Sequence, residues 1–254
     1  MLGGLLGFCA EQNNAHPTGG DGMLRFYVEV ARTAFRRQLI YRGFDVRDTL
    51  RYTWLVQAMV MIVMTFGWYD LMLTIRSGAV ISDLSKPCDF YWYWFSREFG
   101  RNIYYLIYRG LPTYVAGMLL FSFGAPGDWR NWLAFLLSLT LGASVGIAYR
   151  VLYNAVAFWF LEARAIGLLF VVIALFFTGS YVPIPFFPRW ALAIIQWLPF
   201  NALINAPAQI LLGKIPENAL LFELGRQMLW VIIMTLIIRI VIAAAARRVV
   251  VQGG

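Results

Sequence analysis

Hydrophobic and polar positions follow two rhythms along this chain. Between residues 23 and 42, Leu24, Tyr27, Val28, Ala31, Phe35 and Leu39 recur at helical spacing, with Arg25, Glu29, Arg32 and Arg36 on the opposite face. That pattern predicts a helix lying in a membrane interface, or one packed on a partner, rather than a helix crossing a bilayer. Further on, the apolar runs lengthen and lose their polar face. Spans are expected at about 52–69, 103–123, 131–160, 165–181 and 227–246, several with aromatic residues at their ends, such as Trp54 and Trp68. Between the first two, residues 70–102 are charged and aromatic; Pro87 is expected near a helix start, with Ser85 or Asp89 as local cap. Residues 183–220 are apolar but broken by Pro183, Pro185, Pro188, Pro199 and Pro207, which suits short re-entrant or interfacial helices.

Composition supports an all-α integral membrane protein. The 254 residues are 61% hydrophobic and 13% charged, and the mean hydropathy is +0.67. A soluble domain needs more polar surface than this chain supplies. The net charge of +8 comes from arginines that punctuate apolar runs, so it points to anionic lipid at a cytoplasmic face and not to nucleic acid. Residues 1–22 lack a basic n-region and read as a flexible leader, and residues 23–254 as a single transmembrane domain.

The chemistry excludes several classes. No glycine-rich run is followed by Lys-Ser or Lys-Thr, so no nucleotide-binding P-loop is present, and no paired carboxylates suggest hydrolysis. His16, Cys9 and Cys88 form neither a metal cluster nor a needed disulfide. The chain is expected to carry no cofactor and no catalytic residue. Arg150 and Arg239 are ionisable groups within apolar spans. They could contact a substrate head group or a helix end, or they could serve structure by snorkelling to the inner surface or meeting Glu162. Gly142 and Gly146 form a GxxxG pair that permits close helix contact, although chance is a rival in a chain with 22 glycines. The run FYWYWF at 90–95 fits an interfacial belt or a docking element.

Several stretches resemble the permease subunits of ABC-2 type exporters, in the branch with paired permeases and a separate ATP-binding protein. They are AFRRQLIYRG; IRSG with DLSKPCDF and REFGR; AFWFLEARA; SYVPIPFFPRW with WLPFNAL and PAQILLGK; and ARRVVVQGG. The resemblance covers about residues 23–254. It implies an interface helix at 23–42, carrying Arg32, Arg36, Arg37 and Arg42 beside the ATPase. It implies a cytoplasmic coupling loop within 70–102, where Leu84, Lys86, Pro87, Asp89 and Phe90 match the family's motif and Arg97 follows. Residues 183–220 would be exterior re-entrant helices. The implied function is ATP-driven export, with ATP and Mg2+ held by a partner ATPase dimer and the path shared with a second, related but different permease chain. The implied location is the inner membrane of a bacterial cell, as a multi-pass protein. A membrane scaffold or assembly subunit retaining the fold is the alternative.

One departure stands out. Relatives have six spans, and the span expected between the interface helix and GFDVRDTLRYTW is missing where Gly43 meets Phe44. With the C-terminus inside, Arg76, Lys86, Arg97, Arg101, Arg164, Arg247 and Arg248 fall inside, and Arg130, Arg189, Lys214 and Arg226 outside. Five spans would then strand the basic 23–51 segment outside, against the positive-inside rule. Roughly thirty or more residues, enough for one span and its loop, are therefore expected to be deleted from the gene or missing from this sequence.

Overall fold

The computed structural model describes residues 46–63, 68–121, 128–160 and 163–249, and all of its described regular structure is helical. The chain divides into two units, residues 1–49 and 50–254, and only Val46–Thr49 of the first are described. The leader, the interface helix with Arg32, Arg36, Arg37 and Arg42, the Gly43–Phe44 junction and Glu162 lie outside the described residues.

Helix α1 is Val46–Val63, and the short helices α2 (Asp70–Arg76) and α3 (Val80–Leu84) follow. Helix α4 is Phe90–Tyr105. Asp89 is its N-cap, in extended conformation, and its carboxylate accepts the Trp92 backbone N–H at 3.0 Å. That bond satisfies one of the four donors a helix start leaves open.

The sequence suggests a boundary near residue 102, where charged residues give way to apolar ones. The backbone has none. Helix α4 passes through a π-helical segment, Leu106–Gly110, directly into α5, Leu111–Phe121. Pro112 explains the local widening: it has no N–H to offer the Tyr108 carbonyl four residues back, and its ring crowds that position. The Leu111 N–H reaches instead to the Leu106 carbonyl, five residues back. Gly110 at the end of the segment lies against the Ile62 side chain of α1.

Helix α6, Trp129–Ala155, is the centre of the unit formed by residues 50–254; nearly every residue from Leu141 onward is buried. Asp128 caps its start by accepting the Arg130 N–H at 3.0 Å. A 3-10 turn at Val156–Phe158 ends it, and α7, Ala163–Phe177, packs beside it. The proline-rich region folds into short pieces: a 3-10 turn at Ile184–Phe186, then α8 (Arg189–Ile195), α9 (Pro199–Leu203) and α10 (Asn205–Leu211). Helix α11, Glu217–Val249, is 33 residues or about 50 Å long. It begins some ten residues before the apolar run expected from the sequence.

By length and apolar composition, Trp129–Phe158 and Glu217–Arg247 can each cross a bilayer, while Thr49–Val63 and Ala163–Phe177 are shorter apolar helices. The two long helices differ in surroundings. Helix α6 is packed on by α4, α9, α10 and α11. Helix α11 leaves Leu221, Leu229, Ile232, Leu236 and Ile240 exposed, an apolar surface suited to lipid or to a second chain.

The glycine pair on α6 is used twice, against different neighbours. A Cβ on Gly142 would stand 2.7 Å from the carbonyl oxygens of both Ala202 and Leu203 on α9, and one on Gly146 would stand 2.9 Å from Val63 Cγ1 on α1. Backbone oxygens cannot swing aside as a side-chain end can, so the Gly142 contact holds the broken helices hard against α6.

Candidate functional site

The buried face of α4 consists of Phe90, Tyr91, Trp94, Glu98 and Asn102. The spacing from Tyr91 through Trp94 and Glu98 to Asn102 follows one helical stripe, so two polar side chains close an otherwise aromatic face. Glu98 is fully buried, and Arg150 of α6 is 2% exposed. Arg150 Nε stands 3.4 Å from Glu98 Oε2, and one guanidinium nitrogen donates to Asn102 Oδ1 at 3.0 Å. The other donates to the carbonyl of Val63 at the end of α1.

Arg150 therefore joins three helices and does not snorkel. Its acidic partner among the described residues is Glu98, 52 positions earlier in the chain, which burial of the α4 stripe brings to it; Glu162, the partner considered from the sequence, lies outside the described residues.

Charge continues outward from this pair. Arg101 Nε is 3.6 Å from Glu98 Oε1, and its Nη2 donates to Asp70 Oδ2 at 2.6 Å. Arg97 stands 3.6 Å from the same Asp70 oxygen. The guanidiniums of Arg97 and Arg101 also lie over the rings of Trp94 (4.8 Å) and Trp68 (5.7 Å), which meet edge-to-face at 6.0 Å. Burial pushes the Glu98 carboxyl above its ordinary range, while Arg150 and Arg101 pull it back down. Asn154, one turn beyond Arg150, ties the end of α6 to α2: its Oδ1 accepts the Met72 N–H at 3.1 Å, and its Nδ2 donates to the carbonyls of Arg150 (2.8 Å) and Trp68 (3.3 Å).

The second arginine on a long apolar helix also reaches α4. Arg239 of α11 lies 3.5 Å from Asp89 Oδ2, the α4 cap, with both side chains about half exposed. One turn earlier on α11, Thr235 shares a hydrogen bond of 3.3 Å with the Tyr91 hydroxyl. Of the residues singled out from the sequence, Arg239 thus meets Asp89, the α4 cap, whereas Arg150 reaches the α4 face through Glu98 and Asn102.

The other singled-out residues lie around the α4 start. Lys86 donates to Asp83 at 2.7 Å and sits 3.9 Å from the centre of the Tyr93 ring; the Asp83 hydrogen bond raises its pKa. Pro87 is exposed and Leu84 half-buried. Phe90 is turned inward against Trp94, with ring centres 6.4 Å apart, so near its start α4 exposes Trp92. Sequence reasoning missed Glu98, Asn102, Asp70 and Asn154. The stripe from Tyr91 to Asn102 was the signal for the first two; nothing local marks the others.

Among the described residues no group of three or more His, Cys, Asp or Glu could hold a metal ion. The geometry defines a helical membrane protein whose charged residues bind one helix to its long apolar spans. The family description "ABC-2 family transporter protein" matches residues 27–253, and the chain belongs to that family. It is a membrane permease, and this type of chain has no ATPase site. No curated protein and no solved structure shows a significant match.

Proposed function

We propose that this chain is the permease subunit of an ATP-driven exporter, working with a second, related permease and a separate ATPase dimer that holds ATP and Mg2+. The observation that carries the reading is the double attachment of α4, by Arg150 to the central helix and by Arg239 to the last. The α3–α4 segment is the coupling element, at the cytoplasmic face of a bacterial inner membrane. Its exposed Trp92, with Pro87 and Lys86, is the surface offered to the ATPase. Residues 23–42 are the interface helix, and α8–α10 form the exterior re-entrant region. A push on α4 is transmitted to α6 through Glu98 and Arg150, and to α11 through Asp89 and Arg239.

Asp89→Asn keeps an N-capping side chain but removes its charge, and Glu98→Gln keeps the shape of the buried acid. In proteoliposomes holding the complete complex, both variants are expected to assemble and hydrolyse ATP while losing substrate-stimulated ATPase activity and export. Unchanged stimulation in both would overturn the coupling role. Failure of any P-loop ATPase to co-purify with the native chain would favour the scaffold reading.

A further inference from the structure

Between α8–α10 and the first turns of α11 lies a cleft of about 350 Å³, far from the charged cluster in sequence and independent of the exporter reading. Its size falls at the lower end of small-molecule sites, roughly 300–1,000 Å³. One wall is a row of amides four residues apart, Asn201 on α9 and Asn205 and Gln209 on α10. Opposite stand Glu223 and Arg226 of α11, paired at 2.5 Å with side chains only 12% and 10% exposed. Phe222 adds an apolar surface, and its ring meets Trp197 edge-to-face at 6.2 Å.

The hydrogen-bonding capacity left in this wall defines the ligand. Asn205 is engaged on both sides: its Oδ1 accepts from the Tyr52 hydroxyl (2.7 Å) and Gln209 Nε2 (3.1 Å), and its Nδ2 donates to Asn201 Oδ1 (2.6 Å). Asn201 Nδ2 makes one long bond, 3.4 Å, to Glu223 Oε1. Among the described residues, Gln209 Oε1 and Glu223 Oε2 accept nothing, and the Gln209 and Asn201 amides each keep one N–H. Acceptors and donors therefore alternate within one small cleft. A hydroxyl group, which donates and accepts together, matches that alternation; a phosphate, which only accepts, or an ammonium, which only donates, does not.

Glu223 and Arg226 compensate each other in the cleft wall, which Lys214 also lines, so hydrogen bonding rather than charge selects a hydroxyl-bearing ligand. We infer that this cleft binds the hydroxyl-rich ring of a sugar, either free or as the head group of a glycolipid, with Phe222 against the ring's C–H face.

The test uses the full chain in phosphatidylcholine nanodiscs. Maltose is titrated calorimetrically, and digalactosyl diacylglycerol is offered in the bilayer with retention read by native mass spectrometry. Saturable binding of either probe is expected, maltose alone indicating free sugar and the glycolipid alone indicating a head group. Gln209→Ala and Glu223→Gln should each weaken binding about tenfold, the loss of one hydrogen bond to a polar or charged partner. Phe222→Leu, on an exposed position that cannot unfold the chain, should weaken it several-fold. Binding of neither probe, binding unchanged in all three variants, or a salt-sensitive preference for phosphatidylglycerol would overturn the proposal.

Discussion

Two polar regions contact the central helix region of this permease, and they are built on opposite principles. Around Glu98 and Arg150 full charges meet, and the ion pairs of Glu98 are loose, at 3.4 and 3.6 Å, while Arg150 also donates to Asn102 and to the Val63 carbonyl. Neither Glu98 oxygen has a hydrogen-bond partner among the described residues, and the same holds for Asn102 Nδ2 and Trp94 Nε1. The amide row from Tyr52 through Asn205 to Asn201 and Gln209 is uncharged, with bonds of 2.6–3.1 Å. Gln227 extends it to α6: its Nε2 donates to the Ala202 and Ser138 carbonyls, and its Oε1 accepts from Ser138 Oγ. Directional neutral bonds fix one geometry. Charges tolerate several, because attraction falls slowly with distance while burial keeps it strong. The charged region suits a joint that moves, and the amide region one that does not.

The comparison is broken most severely at Glu98. Glu98→Ala leaves Arg150 buried without its acid and should cost about 3–5 kcal/mol, read as a large drop in unfolding temperature in detergent. The double variant Glu98→Leu with Arg150→Met should recover most of that loss, as buried pairs replaced by apolar residues usually do. Asn205→Leu removes three neutral hydrogen bonds, among them the one the Tyr52 hydroxyl donates, and should cost about 1–3 kcal/mol. Gly142→Ala forces a methyl between two carbonyls and should cost about 1–3 kcal/mol, the range for overpacking.

A pH experiment sharpens the contrast further. Burial holds the Glu98 carboxyl above its ordinary range, so as pH falls the folded state takes up its proton before the unfolded chain does. Its ionisation therefore lowers stability as pH rises from the ordinary carboxylate range through the folded pKa. Unfolding temperature should show this slope in the wild type, and Glu98→Gln should flatten it, whereas Asn205→Leu should leave it unchanged. The smallest effect belongs to Arg239→Gln. Its pair with Asp89 is half exposed, so stability should change by less than about 1 kcal/mol, and circular dichroism melts should barely distinguish it from wild type.

Much of this organisation is legible in the sequence. The central span, the proline-broken segments and the cap at Asp89 each follow from local patterns: an apolar run longer than a bilayer, rings that cannot donate, and a short acidic side chain before an aromatic helix. The partner of Arg150 is not local. Glu98 lies 52 residues away, and its burial depends on α4 packing against α6, which no window of sequence contains. The continuity of α4 with α5 is hidden for a different reason. Composition changes at residue 102, yet helical hydrogen bonds run along the backbone regardless of what surrounds the side chains. The start of α11 at Glu217 was obscured likewise by the charged first turns that precede its apolar run.

The π-helical segment at Leu106–Gly110 has a geometric consequence for the helix it interrupts. One residue beyond an ordinary turn advances the side-chain phase by about 100°. Residues 90–105 and 111–121 are thus two faces keyed at different angles on one shaft, the first presenting acids and aromatics to α6, the second bringing the Thr113 carbonyl to Trp54 Nε1 at 2.6 Å. Each face can mutate without rotating the other, but removing a single residue from the segment would turn the whole of α5 away from α1.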